Sequence, residues 1–355
     1  MNGSQRCLTI GDRAAGRENH FNLIRMMAAG GVLVSHAYPI CFGAGAVEPL
    51  EAALGMTLGD LCVYVFFVVS GFFITKSFVF GSSWRRFLAA RALRLFPGLA
   101  VVLAVTILVG GIFLTTATAG AFWASAPFYF LQNLVLFMPL YELPGVFENN
   151  PYGSDINGSL WTLAYEVLCY GAVFFAGMAG LFRAPTLVAA PAFAAALALL
   201  IVAPHLGLHV RVEKFSLLAL PFFLGAAMLV WRDRIPLSLA LAAGLWALAL
   251  AAYWWAGPGF RPVFVLALSY STMFLGFARA PALLAYNRLG DYSYGLYVYA
   301  FPAQQLATHF GVRDPLINVA VALPATLVCA VLSWRLVEEP ALRFKSYRRG
   351  RSQAA

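Results

Sequence analysis

The sequence predicts an all-α, polytopic membrane protein with about ten transmembrane helices, and three observations support this fold class. Of the 355 residues, 61% are hydrophobic and only 11% are charged, whereas about 25% of the residues in soluble domains are charged. The mean hydropathy is +0.78. The apolar residues also occur in stretches of about 20, which is the length that crosses a bilayer as a helix. Soluble, disordered and fibrous classes are therefore excluded.

The first element is a polar tail, residues 1–20, which contains three arginines and no apolar core. A cleaved signal peptide needs such a core, so we expect this tail to remain in the cytoplasm. A single transmembrane domain, residues 21–340, follows it, and a basic cytoplasmic tail, residues 341–355, ends the chain. The predicted spans are residues 21–40, 59–80, 95–117, 159–181, 185–204, 215–231, 236–256, 262–279, 290–310 and 315–336.

One further apolar segment, residues 124–140, is not counted as a span. It is short and contains proline, glutamine and asparagine, so we expect a re-entrant or interfacial helix. It belongs to a long outer loop, residues 118–158, whose polar end mixes proline, glycine and asparagine with phenylalanine and tyrosine. This mixture predicts a packed loop rather than a disordered one.

The net charge of +9 has a topological explanation, because lysine and arginine accumulate in cytoplasmic loops. With ten spans and the N-terminus inside, most of the 24 basic residues lie on the cytoplasmic side. The outer loops then hold only Arg211, Lys214, Arg261 and Arg313. We therefore expect both termini in the cytoplasm, contact with membrane lipids, and no nucleic-acid partner.

The cysteines and histidines do not predict a metal site. The five cysteines are scattered and odd in number, so we expect buried thiols and no disulfide framework. His205 and His209 are four residues apart, but only Glu213 follows them, which is a poor ligand set. Asn157-Gly-Ser is formally a glycosylation sequon, yet we expect it to be part of the outer loop.

Two ionisable residues in the first span, Arg25 and His36, are the main candidates for function. Eleven residues correspond to about three helical turns, so both side chains share one helix face about 16 Å apart. Ionisable groups inside a span are costly and usually face a cavity or a partner. A histidine there suits proton abstraction from a hydroxyl. A snorkelling arginine and a hydrogen-bonded core histidine are the structural alternative.

Glu166 is the natural partner for this histidine. It lies about 10 Å below the outer end of its span, close to the expected depth of His36. A buried carboxylate there could orient the imidazole and stabilise its protonated form. Alternatively, Glu166 pairs with an arginine or completes a hydrogen-bond network that serves only packing.

Four arginines precede the third span in the stretch SSWRRFLAARALRLFP, residues 82–97. Arg91 and Arg94 are three residues apart on one helix face, where their guanidinium groups suit phosphate binding. The whole stretch is also amphipathic, so an interfacial helix bound to anionic lipid remains open. Composition does not separate the two functions.

Taken with these residues, the sequence resembles the bacterial acyltransferase-3 membrane family over residues 21–345. The most specific element is the arginine, ten residues, histidine arrangement in FNLIRMMAAGGVLVSHAYPI. Further resemblance lies, in order, in VYVFFVVSGFFIT (63–75), RALR (91–94), NGSLWTLAYEVLCY (157–170), LGDYSYGLYVYAFP (289–302) and RLVEEPAL (335–342). Two positions depart from the family pattern: Tyr64 replaces a frequent acidic residue, although Asp60 is one turn away, and Ala300 replaces a frequent histidine.

The resemblance implies an enzyme of the bacterial inner membrane that transfers an acyl group, most simply acetyl, from cytoplasmic acyl-CoA to a hydroxyl of an extracytoplasmic or lipid-linked saccharide. By position, the resemblance implies that His36 is catalytic and that Arg25, Arg91 and Arg94 bind the donor. Glu166 is the second catalytic candidate, and the further donor-binding candidates are Arg85, Arg86 and Ser70. The candidate acceptor-binding residues are Asn157, Trp161, Tyr38 and Asp60. No metal is implied.

Several alternatives stay open at this point. His36 could act as a general base in direct transfer or carry the acyl group transiently. A second class of function is a proton-coupled transporter of a glycolipid or small molecule, and a third is a scaffold whose buried charges only set helix pairing. The identity of the acceptor and the oligomeric state are not encoded in any feature of the sequence.

Overall fold

The computed structural model is helical throughout the residues it describes. These are residues 8–16, 18–81, 83–183, 185–202, 206 and 209–343, and within them the only β-type pairing is an isolated bridge between Thr9 and Pro236. Cys7, His205 and residues 344–355 of the predicted basic tail lie outside the described residues. The predicted all-α class is confirmed.

Fourteen α-helices follow one another along the described chain. They are α1 (Ile10–Ala14), α2 (Phe21–Phe42), α3 (Pro49–Leu54), α4 (Leu58–Val79), α5 (Trp84–Val109), α6 (Ala119–Val135), α7 (Leu160–Met178), α8 (Pro185–Val202), α9 (Val210–Val230), α10 (Leu239–Ala256), α11 (Arg261–Gly276), α12 (Pro281–Leu284), α13 (Ser293–His309) and α14 (Pro315–Ser333). Short π-helical segments extend α5 over Gly110–Leu114 and α14 over Trp334–Glu338.

A helix lies at each of the ten predicted spans, but not all of them are long and apolar enough to cross a membrane. Among the described residues, seven helices meet that condition by length and composition: α2, α4, α5 with its π segment, α7, α9, α10 and α14 with its extension. An eighth span results if α11 and the following Pro281–Arg288, which are bent by 86°, count together. The count of ten and the orientation stay predictions.

Two boundaries differ from the sequence-based expectation. The arginine-rich stretch and the third span form one helix, because α5 continues through Pro97. The segment expected at 124–140 is α6, which begins earlier, where Thr118 caps the Ala121 amide, and ends at Val135. Leu136 then adopts a left-handed conformation with φ of 57°. At 17 residues, α6 is about 26 Å long, slightly short of the bilayer core.

The chain divides into two compact units, each made of three chain segments. The first unit comprises Met1–Arg25, Val63–Trp84 and Tyr165–Leu289, and the second comprises Met26–Cys62, Arg85–Ala164 and Gly290–Ala355. The prediction of a single domain over 21–340 stays a prediction.

The first unit has an aromatic core. The Phe21 ring packs edge-on against both Phe73 and Phe277 with ring centroids 5.0 Å apart, and Phe72 completes the group. Aromatic pairs of this geometry add about 0.5–1.5 kcal/mol each beyond their buried area. Residues 8–16, expected to be part of a tail, belong to this unit: Ile10 is buried in its core, and the Ile10 amide donates to the Ile235 carbonyl over 3.0 Å.

The second unit is organised around α13, a buried helix that carries several polar side chains. Gln304 Nε2 donates to the Leu33 carbonyl on α2 over 2.8 Å. The Tyr294 hydroxyl donates to the Leu95 carbonyl on α5 over 2.9 Å. The Tyr297 hydroxyl lies 2.6 Å from Thr162 Oγ1 on α7. Polar groups removed from water need such partners, so α13 fixes the register of three other helices.

The outer loop is packed, as predicted, and Gln305 of α13 is its main anchor. Gln305 Nε2 donates to the carbonyls of Gly153 (3.2 Å) and Asp155 (2.7 Å). Asn150 Nδ2 in turn donates to Gln305 Oε1 over 2.8 Å. Both Gln305 and Asn150 are buried, so these bonds replace water for the loop backbone.

We predict that Gln305→Met loosens this loop, because methionine has a similar length but makes none of these hydrogen bonds. Each buried group left without a partner costs about 1–3 kcal/mol. Hydrogen exchange in the peptide covering residues 150–156 should therefore become faster. The matched control is Leu316→Met on the exposed side of α14, which should leave exchange there unchanged. Unchanged exchange in Gln305→Met would contradict the anchoring role.

Candidate active site

Arg25 and His36 lie on one unbroken helix. The helix α2 runs from Phe21 to Phe42 with Pro39 near its end, so the spacing of eleven residues holds both side chains on the same face. The Arg25 guanidinium lies 5.9 Å from the centre of the Phe66 ring in the first unit. A cation over an aromatic ring is favourable, worth about 0.5–2 kcal/mol.

The imidazole of His36 packs against an aromatic ring. The Phe301 ring of α13 stands edge-on to it, with ring centroids 5.3 Å apart. Tyr152 of the outer loop packs on Phe301 in the same way, also at 5.3 Å. Gly158 allows this arrangement, since a Cβ at that position would lie 2.7 Å from a Phe301 ring carbon. Within the described chain, the buried Nδ1 of His36 has no hydrogen-bond partner.

Glu166 is bound by two hydroxyl groups in the first unit. Ser70 Oγ donates to Glu166 Oε1 over 2.8 Å, and the Tyr170 hydroxyl donates to the same oxygen over 2.6 Å. Ser70 was expected to serve the donor, and Tyr170 was not singled out at all. The signal for Tyr170 is its spacing of four residues from Glu166, which places both on one helix face. A pairing of Glu166 with His36 would join the two units and stays a prediction.

The arginines at the start of α5 differ in their surroundings. Arg85 and Arg86 are exposed, whereas Arg91 and Arg94 are half-buried. Arg94 forms ion pairs with two carboxylates of the same unit: its Nη2 lies 2.6 Å from Asp291 Oδ2, and its Nη1 lies 3.5 Å from Glu338 Oε2.

These two acids were missed by sequence reasoning, although a charge in so apolar a chain needs a partner when it is buried. The partner could not be named, because it lies 197 residues from Asp291 and 244 residues from Glu338 along the chain.

Two of the four acceptor candidates have structural partners. Asn157 is 1% exposed and donates through Nδ2 to the Val298 carbonyl over 2.9 Å, a burial that does not suit glycosylation. Asp60 accepts a hydrogen bond from the Thr57 amide over 3.0 Å and so caps the start of α4. Trp161 and Tyr38 are both half-buried in the second unit.

In the outer loop, the charged form of the Asp155 carboxyl is destabilised by its surroundings. Burial raises the pKa of its carboxyl above the ordinary range, and the negative charge of Glu142 raises it further. Burial also raises the pKa of Tyr152, with a smaller contribution from Asp155. The loop beside Phe301 therefore combines a phenol with two carboxylates. Phenol and carboxylate groups bind hydroxyl groups by hydrogen bonding.

The sequence is similar to a known protein family and to two known proteins. The family model described as an acyltransferase domain matches residues 18–335. The chain belongs to the acyltransferase-3 family. It is 30% identical to the O-acetyl transferase of Shigella phage Sf6 over 344 residues, which is 91% of this chain and 96% of that protein. It is 28% identical to Nodulation protein 10 of Rhizobium leguminosarum bv. viciae, over 94% of this chain and 96% of that protein. No solved structure matches the chain.

Membership in the acyltransferase-3 family confirms the predicted resemblance and makes the protein an acyltransferase. Together with its apolar helices, it identifies a multi-pass membrane protein. Among the described residues there is no group of three or more histidine, cysteine or acidic side chains that could hold a metal.

We predict a pH-dependent gain in stability for Asp155→Asn. The pKa of Asp155 is raised in the folded state, so the fold loses stability at this carboxyl as the pH rises above the ordinary pKa of an aspartate. Asparagine removes this penalty. The thermal midpoint in detergent should therefore rise by a few degrees at pH 7, and the gain should vanish towards pH 4.

The matched control is Asp233→Asn, because the Asp233 side chain is 70% exposed and should show no such gain. A gain for Asp155→Asn that is equal at both pH values, or a loss at pH 7, would contradict the assignment.

Proposed function

We propose that the protein is an O-acyltransferase of the bacterial inner membrane that moves an acetyl group from acetyl-CoA to a hydroxyl of a saccharide or glycolipid acceptor. The observation that carries this proposal is the setting of His36, on one helix face with Arg25 and packed against Phe301. The similarity to the phage O-acetyl transferase supports the reaction class.

In the proposed reaction His36 is a general base. A neutral imidazole nitrogen takes the proton from the acceptor hydroxyl as its oxygen attacks the thioester carbonyl. The carbon–sulfur bond of the tetrahedral intermediate then breaks, and the imidazolium returns its proton to the leaving CoA thiolate. The ester is formed and His36 is neutral again. Phe301 supports this step because it fixes the ring plane without occupying Nδ1.

The donor is proposed to bind at the cytoplasmic side through its phosphates. Arg85, Arg86 and Arg91 lie at the N-terminal end of α5, and guanidinium groups bind phosphate oxygens in pairs of hydrogen bonds. Arg25, near the start of α2, would attract the same anion. The ten-span topology with both termini inside is part of this proposal, since it places these arginines where acetyl-CoA is made.

The acceptor is proposed to approach from the opposite side, through the outer loop. Tyr152 lies on one side of Phe301, and His36 contacts the same ring. Asp155 and Glu142 add carboxylates that can accept hydrogen bonds from sugar hydroxyls. Glu166, held by Ser70 and Tyr170, is proposed to stabilise the imidazolium that forms during transfer.

A transient acyl-histidine remains the second route for this chemistry, because a histidine can also act as a nucleophile. In that route the imidazole attacks the thioester, CoA leaves, and the acceptor hydroxyl then takes the acetyl group. Incubation with radiolabelled acetyl-CoA in the absence of acceptor distinguishes the routes. Label bound to the protein indicates the acyl-histidine, and direct transfer leaves the protein unlabelled.

We predict that His36→Ala loses acetyl transfer by about 100-fold or more, because general-base catalysis contributes about 10²–10⁴-fold. Donor binding should persist, measured as the thermal shift that CoA produces in the purified protein. The control is His309→Ala, which replaces an exposed histidine at the end of α13. Normal turnover in His36→Ala would contradict the mechanism.

We also predict that Arg91→Ala raises the KM for acetyl-CoA by about ten- to hundredfold, the effect of losing a charge-assisted hydrogen bond of about 1.5–3 kcal/mol. The turnover number at saturating donor should change little. Arg343→Ala is the matched control, since Arg343 is exposed and pairs with Glu339 over 2.7 Å. An unchanged KM in Arg91→Ala would remove Arg91 from the donor site.

A further inference from the structure

Arg94 is enclosed by groups that already satisfy it. Besides its ion pairs with Asp291 and Glu338, its guanidinium lies 5.6 Å from the Trp334 ring centre and 6.0 Å from that of Tyr294. Its side chain is 18% exposed. Gly290, with φ of +113°, makes room for Trp334, because a Cβ there would overlap the indole.

The two carboxylates are also held from their other side. Ser293 Oγ donates to Asp291 Oδ1 over 2.6 Å, and Ser333 Oγ donates to Glu338 Oε1 over 3.0 Å. The Asp291 and Glu338 side chains are only 12% and 1% exposed. The result is a polar cluster with partners on both oxygens of each acid, the arrangement that makes a buried ion pair tolerable.

The charge balance of this cluster opposes phosphate binding. One guanidinium faces two carboxylates, so the group carries a net charge of about −1 when both are ionised. A phosphate that approached Arg94 would have to displace an acid and leave it buried without a counter-charge, which is strongly destabilising.

The cluster joins three elements of the second unit. Arg94 is on α5, Asp291 and Ser293 are at the start of α13, and Glu338 ends the π segment after α14. Phe301, which contacts His36, lies about 12 Å further along α13. The ion pairs thus fix the end of the helix that carries the ring against the imidazole.

We propose that Arg94 is a positioning residue, fixed by Asp291 and Glu338, which sets α13 and through Phe301 the imidazole of His36, and that it is not a ligand of the donor phosphates. This inference rests on the proposed acyl transfer and reassigns one arginine that the sequence had placed in the donor site. It also gives a function to two acids that the sequence analysis left unassigned.

The decisive experiment compares Arg94→Met with the triple variant Arg94→Met, Asp291→Asn, Glu338→Gln. Arg94→Met leaves two buried carboxylates without a counter-charge, so we expect a lower thermal midpoint and a kcat reduced on the order of 100-fold, the effect of a misplaced catalytic group. The KM for acetyl-CoA should stay within about twofold of wild type, since each tenfold in affinity needs about 1.4 kcal/mol. The triple variant removes the unpaired charges and should recover the thermal midpoint, whereas kcat stays low because the ion pairs that set α13 are still missing. A raised KM in Arg94→Met with no recovery in the triple variant would overturn the proposal.

Glu338→Gln alone provides a second test that does not require Arg94→Met to fold. If Arg94 positions α13, kcat falls and the KM for acetyl-CoA is unchanged. If Arg94 binds phosphate, removal of a competing carboxylate lowers that KM, and this result would overturn the proposal.

Failure of the proposed function is recognised separately, because wild-type protein would then transfer no acetyl group. In that case the thermal midpoints of the same variants and the thermal shift caused by CoA still decide the role of Arg94. Recovery of the midpoint in the triple variant, with the CoA-induced shift retained in Arg94→Met, supports positioning. Loss of that shift overturns it.

Discussion

Polar groups buried in an apolar protein must form hydrogen bonds within the protein. The helix α13 carries several such groups. Its Gln304, Gln305 and Thr308 are fully buried. Hydrogen bonds from this helix reach α2, α5, α7 and the outer loop. Because an unpaired polar group costs far more than its hydrogen bond returns, each of these contacts fixes the register of one element. The second unit is therefore specified less by apolar packing, which many registers satisfy, than by a small number of polar contacts.

The same constraint explains how the candidate site is built. The ion pairs of Arg94 hold the start of α13, and Gln304 holds it to α2 three residues from His36. Phe301 lies between these two anchors and contacts the imidazole. A general base must keep its geometry within a fraction of an ångström. Phe301 meets this requirement because its helix, α13, is anchored on both sides of it. Its ring contacts the imidazole without forming a hydrogen bond to a ring nitrogen of His36.

The sequence predicted the fold better than the site because the two depend on different ranges of interaction. An apolar stretch is a local feature of the sequence, so a helix lies at every predicted span. Two helix boundaries were misplaced, at Pro97 and before residue 124, because residues typical of turns or helix ends lie within or beside a continuing helix. Arg25, His36 and Glu166 could be singled out because charge is rare in this chain. The partners of His36 and Arg94 could not, because Phe301 reaches His36, and Asp291 and Glu338 reach Arg94, only through tertiary contacts. Tyr170 is the exception, being one helical turn from Glu166.

The central claim is that an acetyl-CoA bound on the cytoplasmic side presents its thioester to His36 while Arg94 remains within its carboxylate cluster. The most direct measurement is an experimental structure with a non-hydrolysable acetyl-CoA analogue. We predict that the carbonyl carbon of the analogue lies within about 4 Å of the His36 imidazole, that its phosphates contact Arg91, and that Arg94 still pairs with Asp291 and Glu338. A thioester far from His36, or an Arg94 turned out of its cluster onto a phosphate, would contradict the account.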